Sequence, residues 1–339
     1  MAAFNVTLPN VLAALDELMP GNIHAGDNPA DVASLVGQLN RQTARFDFIQ
    51  GSGRGSKKRQ FLAHWTKLCA PTVSSCTTVC DLASDMSTDD STTYTIDQCK
   101  EVKFLEDQGG PSDRFRLAPY DREMEIAKQL VRHLNALDTH LAEQYIAFLV
   151  ANKGAHEFTE ASIGSANGLD WEVPANQWTD DLALEMSLAA QISRFPQAYI
   201  LDGLNLYNVI RKAGFYGAND NGRGEAAIWN SMTYVSDPLK MRTAAADTTF
   251  VINPGSLALV TDNWHTPVPE SPAPGHTIFS INSRNLPGVS YDVTRVAACS
   301  SNTYVNSWKI VSNYTFVLNP EGCTENRTGI LSYKKIAGI

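Results

Sequence analysis

The chain has no long hydrophobic run. Its longest apolar stretch, Tyr145 to Ala151, is seven residues long, far shorter than the roughly 20 residues that a membrane-spanning helix needs. The N-terminal segment also lacks the basic region and apolar core of a secretory signal. We therefore expect a protein that is made in the cytoplasm and has no membrane partner.

Short motifs for common enzyme chemistry are missing as well. The sequence contains no HExxH, no GxSxG, no GxGxxG and no GxxxxGK followed by Ser or Thr. His133 and His140 lie seven residues apart in a helical segment. Because a helical metal pair usually has the i, i+4 spacing, we interpret them as solvated or core-edge histidines. We predict no catalytic residue, no cofactor and no metal site.

Positive charge is scarce. The 339 residues include 27 Lys and Arg against 36 Asp and Glu, which gives a formal net charge of −9. An acidic chain is unsuited to binding nucleic acid over its whole surface, so DNA contacts should be non-specific and limited to basic patches. A hydrophobic content of 43% and a charged content of 19% are typical of a folded protein with one or two domains.

Cysteine is present but unevenly distributed. Four of the six cysteines lie within residues 69–99, namely Cys69, Cys76, Cys80 and Cys99. Their spacings, with six, three and eighteen residues in between, match no standard zinc finger. The cluster is compatible with reduced cysteines, with disulfides formed after release from the cell and with a zinc site. The sequence leaves these alternatives open.

Two stretches of opposite charge lie on either side of a Ser- and Thr-rich segment. Residues 51–67 carry five basic residues and no acid, and residues 81–121 carry ten acids and four bases. Phe61 to Leu68 favours a strand, and 71–97 is typical of the far end of a two-stranded excursion. A lone two-stranded ribbon is marginally stable in water, so this one needs a surface to lie on. The basic run 54–59 is either a solvated loop or an electrostatic partner for a neighbouring chain.

The clearest element is a long helix predicted for residues 121–153. No Gly or Pro interrupts it, and apolar residues recur three or four positions apart: Ala127, Leu130, Leu134, Leu137, Leu141, Tyr145 and Phe148. A second helix is predicted from Thr179, its N-cap, to Phe195, and a third at Gly203 to Ala213. Strands are predicted at Gln197–Leu201, Thr248–Ile252, Leu257–Val260, Val289–Val296, Tyr304–Val311, Tyr314–Leu318 and Gly329–Lys335. The fold class is therefore α+β.

This order of elements resembles the major capsid proteins of tailed double-stranded DNA phages, which have the Hong Kong 97-type (HK97-like) fold. Three segments carry the resemblance: Gln129 to Ala142 on the long helix, Tyr199 to Tyr207, and Thr249 to Val260. The resemblance implies an N-terminal arm (1–50), an extended β-loop (51–110), a peripheral domain (111–173) with the spine helix, an axial domain (174–290) and C-terminal β strands (291–339).

The implied function is structural. A protein of this family self-assembles as hexameric and pentameric capsomers into an icosahedral shell that encloses double-stranded DNA. It is made in the host cytoplasm and resides in the virion capsid, with portal, scaffolding, protease or decoration proteins as partners. Another virion structural protein (tail tube or decoration), or a soluble enzyme of unknown chemistry, is the alternative.

The resemblance also implies that the extended loop crosses a neighbouring subunit, which would supply the surface that the ribbon needs. The charged residues of this loop are then candidates for inter-subunit contacts: Arg54, Lys57, Lys58, Arg59, Lys67, Asp89 and Asp90.

Overall fold

The computed structural model describes the following residues: 8–18, 45–49, 59–65, 90–107, 119–195, 197–207, 209, 227–229, 232–283, 285–286, 288–300, 303–319 and 328–338. They form the mixture of helices and strands that the sequence predicts. Among these residues, no helix combines the length and hydropathy that a membrane-spanning segment needs.

Helices and strands alternate irregularly along the chain. The described helices are α1 (Leu8–Leu18), α2 (Pro119–Ala151), α3 (Asp180–Ile192) and α4 (Pro238–Ala244). The described strands are β1 (Arg45–Phe48), β2 (Gln60–Trp65), β3 (Asp90–Thr95), β4 (Gln98–Asp107), β5 (Ser165–Asn167), β6 (Asp170–Pro174), β7 (Tyr199–Asp202), β8 (Ala227–Trp229), β9 (Met232–Ser236), β10 (Thr248–Ile252), β11 (Leu257–Asp262), β12 (Glu270–Ala273), β13 (His276–Asn282), β14 (Ser290–Ser300), β15 (Thr303–Leu318) and β16 (Ile330–Ile336).

The described strands build three sheets. The first, which we call the ribbon sheet, has the order β1-β2-β3. The second has seven strands in the order β5-β6-β16-β10-β7-β9-β8. The third has six strands, in the order β11-β15-β14-β13-β12, with β4 also paired to β15.

The chain divides into two compact units, each built from separate stretches of sequence. The first unit comprises Met1–Gly37, Asp97–Gln144 and Val260–Thr315. The second comprises Gln38–Ile96, Tyr145–Leu259 and Phe316–Ile339.

Helix α2 is continuous over 33 residues, so the predicted long helix is confirmed with its bounds shifted by two residues. Pro119 is its first residue, a position where proline's fixed φ is favourable and its missing N–H costs nothing. The predicted apolar stripe is buried, with Leu130 at 0% and Leu134 at 5% exposed. Beyond the helix, the amide of Gly154 donates to the carbonyl oxygen of Ile330 at 2.8 Å.

In the first unit, α2 packs against one face of the six-stranded sheet. The His133 ring stacks on Phe104 of β4 with the ring centroids 4.8 Å apart. Further along the helix, His140 Nε2 lies 3.1 Å from the hydroxyl of Tyr314 on β15. The inward-facing side chains of the sheet, such as Trp308 at 0% exposed, therefore form one core with the helix stripe.

In the second unit, α3 packs with the seven-stranded sheet around a hydrophobic cluster. Leu182 and Met186 of the helix share this cluster with Ile200, Val251 and Leu331 of the sheet. The predicted helix start is confirmed, with Thr179 at the N-cap, but its side chain makes no capping hydrogen bond. The C-terminal strand β16 lies between β6, with which it is parallel, and β10, with which it is antiparallel.

The pairing of β2 with β3 confirms that the chain leaves and returns along one antiparallel ribbon. The register runs from Gln60 opposite Thr95 to Trp65 opposite Asp90. Two features differ from the prediction: β1 adds a third strand beside β2, and residues 98–107, assigned to the loop from the sequence, pair with β15 instead.

One predicted break is wrong. The sequence suggests separate strands at Tyr304–Val311 and Tyr314–Leu318, whereas β15 is a single strand of 16 residues. Ser312 and Asn313, at the expected break, lie opposite Lys100 and Cys99 of β4 and continue the ladder. The start of the helix predicted at Gly203 to Ala213 is wrong, because residues 203–206 form bends and turns. Residues 208 and 210–213 lie outside the described residues.

Candidate subunit interface

The ribbon sheet is held together by a small aromatic cluster. Phe61 is fully buried, with its ring 5.9 Å from that of Phe48 and 5.6 Å from that of Tyr94. The Tyr94 hydroxyl donates to the carbonyl oxygen of Leu318 at 3.3 Å. Phe61 is the one fully buried ring among the described side chains of these three short strands. This is little apolar burial for a sheet that needs a hydrophobic face or a packing partner for stability.

Two of the predicted contact residues are described by the structure. The guanidinium of Arg59 lies over the ring of Phe48, 4.6 Å from its centroid, a cation–π geometry. Asp90 is the first residue of β3, opposite Trp65. Arg59 precedes Trp65 by six positions along the chain, about 20 Å at the usual rise. Arg54, Lys57, Lys58, Lys67 and Asp89 lie outside the described residues.

The cysteine cluster is only partly described. Cys99 is a free, exposed cysteine on β4, opposite Asn313. Cys69, Cys76 and Cys80 lie outside the described residues, so the predicted proximity of the four remains a prediction.

A buried carboxylate joins α2 to the six-stranded sheet of the first unit. Asp138 accepts hydrogen bonds from the Tyr291 hydroxyl, from Ser283 Oγ at 2.7 Å and from Asn285 Nδ2 at 2.8 Å. Burial raises the pKa of Asp138 above its usual value, although these hydrogen bonds oppose the shift. Because two of the three donors, Ser283 and Tyr291, are themselves buried, the group holds the helix against the sheet.

A second buried charge fixes β4 at the edge of this sheet. Glu106 accepts from the indole Nε1 of Trp308 at 2.8 Å and lies 3.4 Å from Arg295 Nη2. The Arg295 guanidinium lies 5.2 Å from the centre of the Trp308 ring. Since Glu106 is paired and hydrogen-bonded, its burial is compensated, and removing one partner would leave an unpaired charge.

The second unit contains a comparable internal carboxylate. Asp202 is fully buried and accepts from Thr249 Oγ1 at 2.6 Å, from the Tyr234 hydroxyl at 2.8 Å and from the amide of Leu206 at 2.9 Å. Burial raises its pKa. Asp202 therefore acts as an internal polar link between strands and the following turn.

The two histidines of α2 contact the protein itself. His133 Nδ1 lies 2.7 Å from the carbonyl oxygen of Gln129, and burial lowers the pKa of His140. Within the described part of the chain, no group of three or more His, Cys, Asp or Glu side chains is arranged to hold a metal ion.

Several large apolar side chains are exposed in the described part of the chain. They comprise Phe48, Leu105, Val150, Leu169, Leu184, Leu188, Ile192, Leu204, Trp264, Val268 and Val296. The sequence reasoning missed those on α3, although apolar residues on more than one face of that segment were a readable signal. Exposed apolar side chains that form a patch are typical of contact surfaces.

Comparison with known proteins finds similarity in structure only. No protein-family model matches the chain, and no curated protein matches its sequence. A chain of Mycobacterium phage Che8 is 14% identical with a TM-score of 0.39, the match covering 92% of this chain and 90% of that one. A chain of Mycobacterium phage Adephagia is 11% identical with a TM-score of 0.41, and the match covers 96% of this chain and 98% of that one. A chain in a structure titled "Capsid of Ralstonia phage GP4" is 10% identical with a TM-score of 0.38, and the match covers 79% of this chain and 82% of that one.

Proposed function

We propose that this protein is the major capsid protein of a tailed bacteriophage and self-assembles into an icosahedral shell around double-stranded DNA. Copies of the chain form hexameric and pentameric capsomers, which portal, scaffolding, protease or decoration proteins join. The role is structural, and no residue is assigned to catalysis.

The observation that carries this proposal is the pairing of β2 with β3. Gln60 lies opposite Thr95 and Trp65 opposite Asp90, so the chain runs out along β2 and comes back along β3. Among the described side chains of the ribbon sheet, only Phe61 and Ala63 are buried. Such a sheet has little core of its own, and a neighbouring subunit would provide a surface on which it could lie.

The domain assignment follows the same proposal. Residues 1–50 form the arm and 51–110 the extended loop, whose returning end, β4, pairs with β15. Residues 111–173 form the peripheral domain, 174–290 the axial domain and 291–339 the returning strands. Helix α2 serves as the spine of the peripheral domain. Its support is the buried stripe around Leu130 and Leu134 and the hydrogen bonds at Asp138, which make the helix a rigid element.

Electron microscopy of the purified full-length chain, combined with sedimentation, tests the proposal. We expect closed shells with capsomers of six and five subunits. Tubes would indicate a tail-tube subunit, and particles that add only to preformed shells would indicate a decoration protein. A chain that stays monomeric at all concentrations would contradict a self-assembling shell subunit.

DNA binding offers an independent check. With a net charge of −9, the chain should bind short duplexes weakly and without sequence preference at physiological salt. Nanomolar, sequence-selective binding would overturn the capsid proposal.

The charge of the extended loop gives a more specific prediction. Replacing Arg54, Lys57 and Lys58 by Glu should leave the circular dichroism spectrum unchanged and lower the yield of shells, most strongly at low salt where screening is weakest. Arg59 is kept because its guanidinium contacts Phe48. Each exposed pair contributes only about 0–1 kcal/mol, but the contact is repeated at every subunit.

The matched control replaces the same three residues by Gln, which removes the charge without reversing it. We expect its shell yield, measured by sedimentation across a salt series, to lie between wild type and the Glu variant. Equal yields for all three proteins at low salt would show that the loop charges do not join subunits.

A further inference from the structure

Helix α3 carries apolar side chains on two faces. The inner face is buried, with Leu182 and Met186 both at 0% exposed. On the outer face, Leu184, Leu188 and Ile192 are 50%, 44% and 40% exposed. These three residues follow each other at intervals of four, so they form one continuous row along the helix. We call this row the α3 ridge.

The α3 ridge is acidic at its start. Asp180 lies four residues before Leu184 and continues the row, and Asp181 lies beside it. Both side chains are exposed, and neither belongs to an ion pair in the described part of the chain. A surface that covers the ridge should therefore combine an apolar side chain with positive charge.

Leu204 is a second exposed apolar side chain of the same unit. At 56% it is the most exposed of the large apolar side chains that the structure describes in this unit. It lies in the turn that follows β7, and the backbone is held on both sides of it. Ser236 Oγ donates to the carbonyl oxygen of Gly203 at 3.0 Å, and the amide of Leu206 donates to Asp202 at 2.9 Å. The leucine is therefore presented on a fixed backbone.

Helix α4 lies against this turn and carries positive charge. A Cβ added to Gly203 would lie 3.3 Å from the Cβ of Met241. Arg242, the next residue, is exposed in the last turn of the helix, and Lys240, which precedes Met241, is half-buried. One exposed acid, Asp247, follows the helix, so the two cations outnumber it.

Leu204 and Arg242, which we call the β7 patch, complement the ridge in chemistry and differ from it in position. The ridge faces away from the seven-stranded sheet, because the opposite face of α3 belongs to the hydrophobic cluster shared with that sheet. The β7 patch lies where β7 ends. Subunits that close into a ring of five or six meet head to tail, so each copy needs two different surfaces that fit one another.

We propose that, within a capsomer, the α3 ridge of each copy packs against the β7 patch of the next copy. The neighbouring copy's Leu204 lies between Leu184 and Leu188 of the ridge, and the neighbouring copy's Arg242 lies beside Asp180. The same contact repeats around the ring, and the ridge never meets another ridge. The inference rests on the proposed capsid function, which supplies rings of five and six copies.

The size of the two surfaces determines what the contact can do. A specific pair of proteins buries roughly 800 Å² on each partner, and a few half-exposed side chains supply only a small part of that area. The contact therefore orients neighbours that are also joined through other surfaces, as subunits of a closed shell are.

The first test compares three exposed leucines of the second unit. Leu188→Asp and Leu204→Asp should each raise the protein concentration needed for half-maximal shell assembly by about tenfold or more, because each places a charge in an apolar contact. Leu169, which is 41% exposed in the turn between β5 and β6, is the matched control. Leu169→Asp should leave this concentration within about twofold.

All three variants should keep the unfolding temperature of the unsubstituted chain, since the substituted side chains are exposed. Equal losses of assembly in the three variants would overturn a specific contact between the ridge and the β7 patch. Unimpaired assembly of Leu188→Asp or of Leu204→Asp would overturn it as well.

Cross-linking tests the head-to-tail geometry. Chains with Leu188→Cys and chains with Leu204→Cys, assembled together and treated with a short thiol-reactive cross-linker, should give dimers beyond those of the unsubstituted chain. A chain that carries both substitutions should give products of up to five and six chains on a denaturing gel. Leu188→Cys combined with Leu169→Cys is the control and should give no additional product. Additional dimers from Leu188→Cys alone would mean that the ridge meets itself, which would overturn the proposal.

Charge reversal tests the polar part of the contact. Asp180→Lys and Arg242→Glu should each raise the concentration for half-maximal assembly by about two- to fivefold at low salt. The double variant should lie closer to the unsubstituted chain than either single variant, because the charges are then reversed but still opposite. A double variant at least as defective as the worse single variant would contradict the pairing.

The outcomes separate the two proposals. If the unsubstituted chain forms no shells, the capsid function fails whatever the ridge does. If it forms shells without a cross-link between positions 188 and 204, the contact fails and the capsid function stands.

Discussion

Helices α2 and α3 use their leucines in different ways. Leu134 and Leu137 of α2 are 5% and 3% exposed, whereas Leu184 and Leu188 of α3 are 50% and 44% exposed. A leucine removed from water inside its own chain stabilises the fold, while one left in water contributes little until another molecule covers it. The comparison separates residues that hold one chain together from residues that are available to connect chains.

The largest effect is expected for a core leucine of α2. Leu134→Ala should lower the free energy of unfolding by about 2–5 kcal/mol, since it removes buried methyl groups and leaves a cavity. Leu184→Ala is the matched control on α3 and should change this free energy by less than about 0.5 kcal/mol. Urea denaturation of both variants measures the difference. Equal destabilisation would show that the two helices do not differ in this way.

A smaller, pH-dependent effect is expected at Asp138. Because burial raises its pKa in the folded state, this group stabilises the fold most when protonated, and that contribution is lost as the pH rises through the folded-state pKa. The stability of wild type relative to Asp138→Asn should therefore fall as the pH rises from acidic values, by at most about 1.4 kcal/mol per pH unit.

Urea denaturation of wild type and Asp138→Asn at a series of pH values measures this difference. Subtracting the two curves removes the contributions of all other titrating groups. A relative stability that rises with pH would mean that the Asp138 carboxylate is favoured in its charged form by its three donors.

The smallest effect is expected at the start of α3. An N-cap replaced by Ala usually costs about 1 kcal/mol, but Thr179 makes no side-chain capping bond. Thr179→Ala should therefore cost less than about 0.5 kcal/mol. Asp237 of α4, which accepts from the amide of Lys240 at 2.9 Å, is the matched control and should show the usual loss. Thermal unfolding of Thr179→Ala and Asp237→Ala measures the two losses of stability. Equal losses would contradict the expected difference between the two caps.

Local patterns in the sequence were sufficient to predict α2, α3 and about half of the described strands. The apolar stripe of α2 predicts a helix, because residues three or four apart share a face of a helix. The β-branched run of β10 predicts a strand, in which residues two apart share a face. The unbroken β15 could not be read locally. Its partner for Ser312 and Asn313 is β4, about 200 residues earlier, and no short window of sequence contains that information.

The ribbon sheet was predictable in kind but not in detail. Charge runs indicated a ribbon, and β2 pairs with β3 as expected. The contact of Arg59 with Phe48 depends on β1, which lies beside β2 only after folding. The exposed leucines of α3 were missed because hydrophobic periodicity tells how many faces are apolar and not which of them the rest of the chain covers.

The C-terminal strands have a consequence for the order in which this protein is made and folds. Strand β15 pairs with β4 and β14, and β16 lies between β6 and β10, so neither large sheet can close before the last part of the chain exists. Contacts of such high contact order form slowly, since the loop between them must be closed first. Until β15 and β16 have been synthesised, the growing chain therefore lacks both finished sheets, and the edges of β4, β6, β10 and β14 lack their final partners.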